Sequence, residues 1–327
     1  MYMQMKKVIA GLLLGLGVLS APAYAADVTW EGDAAVKFEQ DTQSGGTKES
    51  GLMYSLRLTG IIPMNDHLSL YGRLGAQYAT RPALSDYNLD SYGEDRKSVI
   101  AIDQFGLNYT NGGFSYKLGR QDLTIGTTAL LYSRNSDNVG RRNFVDGLTF
   151  TGKAGKVDLA GVFVQEDNEG SQDNKLIAIH GGYDVSERLN VGATLGRYFY
   201  ADSEAGNTNH WAVDSTYKVG KNTLTAELAK SNGDGDNKAY AVTWNYDFND
   251  KTSAYITAFR VEPNADMGGQ SDFDNNNRGF KYGIAHKLTD RDTVTVDYTN
   301  QKTLRDSEDT AGGLHNTKFE AAVTHTF

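Results

Sequence analysis

The eleven residues Leu68-Ser69-Leu70-Tyr71-Gly72-Arg73-Leu74-Gly75-Ala76-Gln77-Tyr78 put an apolar or small side chain at every even number and a mostly polar one at every odd number. A helix repeats its faces near every 3.6 residues. A period of two belongs to a strand with unlike sides. The same pattern extends in both directions. Upstream, Val28, Trp30, Gly32, Ala34, Val36 and Phe38 alternate with Thr29 to Lys37, and Leu52, Tyr54, Leu56 and Leu58 alternate with Met53, Ser55, Arg57 and Thr59. Downstream, Phe105, Leu107 and Tyr109 turn through Asn111-Gly112-Gly113 into Phe114, Tyr116 and Leu118, the signature of a tight hairpin. The last run, Phe319, Ala321, Val323, His325, Phe327, ends the chain. Sixteen such runs are expected, within a range of 14–18. Two of them, 174–183 and 252–261, have no clear phase.

Connections alternate in length as well. Short ones (60–67, 111–113, 153–156, 184–188, 220–222, 249–251, 289–292) interleave with longer polar ones (41–50, 80–98, 122–146, 166–173, 201–209, 232–237, 262–277, 300–314). Pro63, Pro82 and Pro263 all fall in connections, as the missing N–H requires. Up-and-down strands with short turns at one end and long loops at the other fit an all-β, transmembrane, antiparallel barrel. In lipid every backbone donor and acceptor must be paired, so strands can cross only as a closed sheet. Aromatic residues at many strand ends, among them Trp30, Tyr78, Trp211, Tyr240 and Phe280, suit the headgroup level.

The chain of 327 residues holds no cysteine, which removes disulfides, thiolate metal sites and cysteine nucleophiles together. Its 32 Lys+Arg against 41 Asp+Glu give −9, a poor balance for binding nucleic acid. Lys6-Lys7, the apolar stretch Val8–Leu19 and Ala23-Tyr24-Ala25 read as a cleaved signal peptide over 1–25, leaving one barrel domain over 26–327. Twelve apolar residues are too few for a helix to cross a bilayer, which takes about 20. The six histidines show no metal spacing, Asp234-Gly235-Asp236-Asn237 lacks the glutamate that would complete a calcium loop, and no catalytic constellation or cofactor motif stands out.

Ile102-Asp103-Gln104, the hairpin leading into Leu118-Gly119-Arg120-Gln121, the stretch Arg141-Arg142-Asn143-Phe144-Val145-Asp146-Gly147-Leu148 and the final Phe327 together resemble the general porin family of Gram-negative outer membranes. The resemblance implies a sixteen-stranded barrel, a homotrimer, and a third long loop folded into the lumen to narrow it. It also implies surroundings of outer-membrane lipid and lipopolysaccharide, and a terminal aromatic, here Phe327, read by the barrel assembly machinery. The Pro-Glu-Phe-Gly-Gly stretch common in that loop among enterobacterial porins is missing.

Function then rests on the lumen. A water-filled constriction selects by width and by rings of charge. Parity points Lys37, Arg57 and Arg73 inward from three consecutive strands, where the family carries a basic wall, and Arg120 is expected to join them. The third loop offers Asp122, Asp137 and Asp146 opposite, with Arg134, Arg141 and Arg142 among them. Opposed rows would make a transverse field favouring ions and small hydrophilic solutes. The competing readings are a substrate-specific channel with an aromatic slide including Tyr71 and Tyr132, a barrel enzyme, and a plugged adhesive barrel.

Overall fold

The computed structural model describes residues 28–44, 46, 48–81, 97–168, 173–202, 206–306 and 311–327. The expected leader and Pro82 lie outside them. The first strands are β1 (Thr29–Gln43), β2 (Lys48–Pro63), β3 (Leu68–Ala79), β4 (Ser98–Asn111) and β5 (Phe114–Gln121). Two short ones, β6 (Leu123–Ile125) and β7 (Tyr132–Arg134), pair only with each other. Then come β8 (Val145–Ala154), β9 (Val157–Glu166), β10 (Lys175–Ser186), β11 (Leu189–Phe199), β12 (Thr208–Val219) and β13 (Asn222–Ser231). The last five are β14 (Lys238–Asn249), β15 (Thr252–Val261), β16 (Asn277–Lys287), β17 (Asp292–Thr303) and β18 (His315–Thr326).

Apart from β6 and β7, the strands close into one antiparallel barrel of sixteen, as the alternation predicts. The seam is β1 against β18, in register from Asp33↔Thr326 to Gln43↔Asn316. Closure leaves no edge to satisfy. The expected hairpin forms with Asn111 opposite Phe114, and Gly112 and Gly113 take the positive φ values, 60° and 83°, that such a tight turn needs. Pro63 ends β2 rather than lying in the connection, opposite Ser69. No helix among the described residues is long and apolar enough to cross a membrane, which says nothing of strands.

The outer face is apolar: Phe163 is 70% exposed, Leu195 63% and Leu228 54%. A belt of that kind calls for apolar surroundings rather than water. The pairing slips beside two turns, at Asp184/Ser186 and Asp247/Asn249, and once in mid-wall, between β3 and β4. There Arg73 faces Gln104 and Leu74 faces Ile102, so Asp103 is the extra residue of a bulge. Ile102 and Phe105 both point outward and are exposed, while Asp103 and Gln104 between them are both buried.

The two runs without clear phase also resolve. In β10, Ile177 and Ile179 are exposed on the outer face and Leu176 is fully buried on the inner one; in β15, Ile256 faces out while Phe259 and Val261 are buried within. Both faces are apolar there because a hydrophobic core sits inside the barrel. Its wall side is Val164, Leu176, Tyr198, Ala212, Ala229, Ala241, Phe259 and Val261, and its inner side comes from two loops. From 122–144 it takes Leu123, Ile125, Leu130, Leu131 and Tyr132; from 262–276 it takes Ala265, Met267 and Phe273.

Candidate functional site

Loop 122–144 crosses the barrel interior and is held at both ends of its path. On the near wall, Arg73 grips the bulged Asp103 bidentately (Nε to Oδ1 2.8 Å, Nη2 to Oδ2 2.9 Å) and donates to the carbonyls of Ser136 and Asn138 at 2.6 and 2.7 Å. Its guanidinium lies 4.7 Å from the Phe144 ring centre. Asp103 also accepts the Gly140 N–H at 3.1 Å. Arg57 bonds Asp33 through Nε at 2.8 Å and turns Nη1 to both the carbonyl and the carboxylate of Asp137, at 2.6 and 2.9 Å. Gly75, directly opposite Arg57, must be glycine: a Cβ there would collide with the Asp103 carboxylate. On the far wall, Glu227 of β13 accepts the backbone N–H and the hydroxyl of Thr128, each at 2.7 Å.

A third hold is Glu166 at the end of β9. Its Oε1 accepts the phenol hydroxyls of Tyr132 and Tyr198 at 2.9 Å each, with Arg134 at 3.4 Å. Arg134 in turn donates to the carbonyls of Arg142 and Phe144. Burial pushes the Tyr132 phenol well above its ordinary range, so it remains a donor. The fourth hold is loop 262–276. Met267 N–H donates to the Leu131 carbonyl (2.9 Å), Ser133 N–H to that of Gln270 (2.5 Å) and Asp272 N–H to that of Ala129 (3.0 Å). The two loops thus form one inner layer, zipped by backbone bonds and sealed by Leu131 and Met267, both fully buried.

What stays open is a charged space of about 750 Å³ between this layer and the strands around the seam. Its basic lining is Lys37, Arg134, Lys281 and Lys318, and its acidic lining is Asp41, Glu49, Asp272, Asp274 and Glu320. Lys37 lies 2.6 Å from Glu320 and 2.9 Å from Glu39; Lys318 lies 3.7 Å from Glu39 and 4.0 Å from Asp41; Lys281 lies 3.8 Å from Asp272. Asp274 accepts from the Gln301 amide. Ser133, Asn135, Asn138 and Asn143 of the first inner loop also line it. Among the described residues no cluster could hold a metal ion.

The sequence-derived candidates therefore separate. Arg57 and Arg73 stand side by side but are spent on Asp33, Asp103, Asp137 and loop carbonyls. Lys37 belongs to the open space. Arg120 is not with them: it pairs in register with Phe105 and Asp146, on the face shared by exposed Leu118 and Leu148, and bonds Asp146 at 2.6 Å and Asp167 at 2.8 Å. Asp146 itself is a β8 residue rather than a loop residue. Asp122 pairs with Lys117 at 3.0 Å and Arg141 approaches Asp167 at 3.6 Å. Asp137 alone of the loop acids meets the arginine pair. Tyr71 and Tyr132 are both buried and hydrogen-bonded, Tyr71 to the Arg120 carbonyl, so neither offers a sliding surface. Phe327 closes the seam through its backbone, exchanging bonds with Gly32 at 3.0 and 3.2 Å.

Residues not among the expected constriction groups carry much of the site: Asp103, Glu166, Glu227, Asp272 and Asp274. For Asp103 a signal exists, the switch from even (Ile100, Ile102) to odd (Phe105, Leu107) outward positions. For the second loop the signal is Met267 and Phe273 inside a polar connection, matched by surplus apolar residues on the runs 174–183 and 252–261.

The architecture is that of a porin-type barrel: sixteen antiparallel strands, closed, with a long connection turned inside. Solved structures agree. The Salmonella typhi OmpF structure in complex with daunomycin superposes with a TM-score of 0.61 over 92% of this chain and 97% of its own, at 14% identity. An anion-selective porin from Comamonas acidovorans gives 0.59 over 92% and 99%, also at 14% identity, and a triple mutant of the Rhodopseudomonas blastica porin gives 0.58 over 92% and 100% at 11%. No protein-family model and no curated protein sequence matches the chain.

Proposed function

We propose that the protein is an outer-membrane porin, a passive channel for ions and small hydrophilic solutes, narrowed between the inner loop layer and the wall around the seam. The observation that carries this is the charged space of about 750 Å³ left beside the packed inner loops. Water and ions need such a lining, whereas an apolar solute gains nothing from it. The porin neighbours support the reading, as does an outer surface suited to lipid. On this reading the leader is removed on export, the barrel assembles as a homotrimer in outer-membrane lipid and lipopolysaccharide, the assembly machinery reads Phe327, and the protein performs no catalysis.

The test is electrical. Protein refolded in detergent and added to a planar bilayer should give ohmic steps, three equal ones per insertion if the trimer holds. Insertion with no current would end the channel reading in favour of a plugged barrel. Steps arriving singly would keep the channel and remove the trimer.

A further inference from the structure

The net charge of −9 is spread over the whole chain and does not decide which ion passes. At physiological ionic strength a charge is felt over about 8 Å, so the side chains lining the narrow space decide. Arg57 and Arg73, which would favour anions, are each neutralised by carboxylates, and loop carbonyls take up further N–H groups of both. Every lysine of the open space stands within 4.0 Å of at least one carboxylate. The reverse does not hold. Asp274 accepts from the Gln301 amide and has as its neighbouring cation Lys318, which Glu39, Asp41 and Glu320 share, and among the described residues Glu49 forms no ion pair. Three lysines and Arg134, the last already beside Glu166 at 3.4 Å, face five carboxylates in the lining, with the buried Glu39 just behind them.

We infer that the channel prefers cations and that Asp272 and Asp274, carried by loop 262–276 rather than by the first inner loop, set that preference. The inference rests on the channel reading above. Loop 262–276 is bonded to loop 122–144 by the backbone of Met267, Gln270 and Asp272, which sets Asp272 beside Lys281, and the Gln301 amide holds the Asp274 carboxylate. Asp122 and Asp146 cannot take this part. The first does not line the open space, and the second shares its face with the outward Leu148 and pairs with Arg120.

The experiment is a reversal-potential measurement on the refolded protein under a tenfold potassium chloride gradient. Wild type should favour potassium. Asp272→Asn with Asp274→Asn should lower the potassium-to-chloride permeability ratio, by about threefold for each charge removed if ions pass about 6 Å away in water-like surroundings screened over about 8 Å. Asparagine keeps the Asp272 backbone bond to Ala129, and Asp274→Asn alone provides a milder variant should the pair fail to fold. Lys37→Gln should move the ratio the opposite way, and Asp122→Asn should leave it unchanged. Chloride preference in wild type, or an unmoved ratio in the conducting double variant, would overturn the assignment. Wild-type insertion without current would instead overturn the channel reading, and this inference with it.

Discussion

The two sides of the barrel use the same alternation for opposite ends. From β8 to β15 a patch of inward positions is apolar or small, Val164, Leu176, Ala212, Ala229, Ala241 and Phe259 among them, and two loops pack onto it as onto the inside of a soluble protein, with Glu166 and Glu227 bonding the first. Around the seam, from β16 to β18 and on to β1, the inward positions are Lys281, Gln301, Lys318, Glu320 and Lys37, and the space beside them is open. Outward faces barely differ between the two sides, because both meet the same apolar surroundings. The lesson is that the inner face of such a barrel is not uniformly a water face. Where it is apolar, a loop is folded against it, and the aperture is whatever that packing leaves over.

The comparison can be broken most severely at the anchor that ties loop 122–144 to the wall of β3 and β4. Arg73→Gln leaves Asp103, fully buried, without its cation and removes the hold on Ser136 and Asn138. Breaking a buried pair at one partner costs about 3–5 kcal/mol. Thermal unfolding in detergent should show that loss, with part of it recovered by adding Asp103→Asn, and the channel should conduct more as loop 122–144 comes free. An unchanged melting temperature would mean that the arginine is not an anchor.

A lesser disturbance falls within the packed side alone. Leu131→Ala empties the joint between the two inner loops, at a cost of about 2–5 kcal/mol for a buried leucine. Since the sixteen-stranded wall is untouched, most of that cost should appear as loop release: noisier, larger single-channel currents with nearly unchanged unfolding of the barrel. Equal loss in both measurements would show that the wall depends on its filling.

The mildest intervention removes no side chain. Asp266, in loop 262–276, is buried with Ser271 and Asn275 as donors, and burial pushes its carboxyl up to about 6 from an ordinary 3.8. The seated loop thus holds a proton that the released loop gives up. Its seating is fully supported below about pH 4 and weakens as pH rises through 6. Tyr200 and His210 face the same loop, so Asp266→Asn isolates the carboxyl. Amide exchange over 265–272 should quicken between pH 5 and 7 beyond its intrinsic trend in wild type and lose that excess in the variant.

The fold is almost wholly legible in the sequence because a period of two, repeated sixteen times, suits few architectures besides a closed barrel. The inward direction of Lys37, Arg57 and Arg73 is legible for the same reason. What escapes is anything that breaks the period or ignores it. The extra residue at Asp103 reverses the parity within β4, and the partner of Arg73 is hidden by that reversal. Arg120 shares its parity with Phe114 and Leu118, and strict alternation puts it outside; only the family resemblance moves it in. Loop 262–276 follows no period at all, and its place inside depends on contacts between residues more than a hundred positions apart.

The seam between β1 and β18 has a kinetic meaning. Lys37 and Glu320 are 283 positions apart, so joining them costs about 5 kcal/mol in chain entropy, against about 1 kcal/mol for a three-residue turn. Nothing is regained until the matching rungs engage. The hairpins can form one by one, yet the cylinder cannot be sealed by instalments, and shortening β18 would leave two unpaired borders in oil rather than a slightly smaller tube.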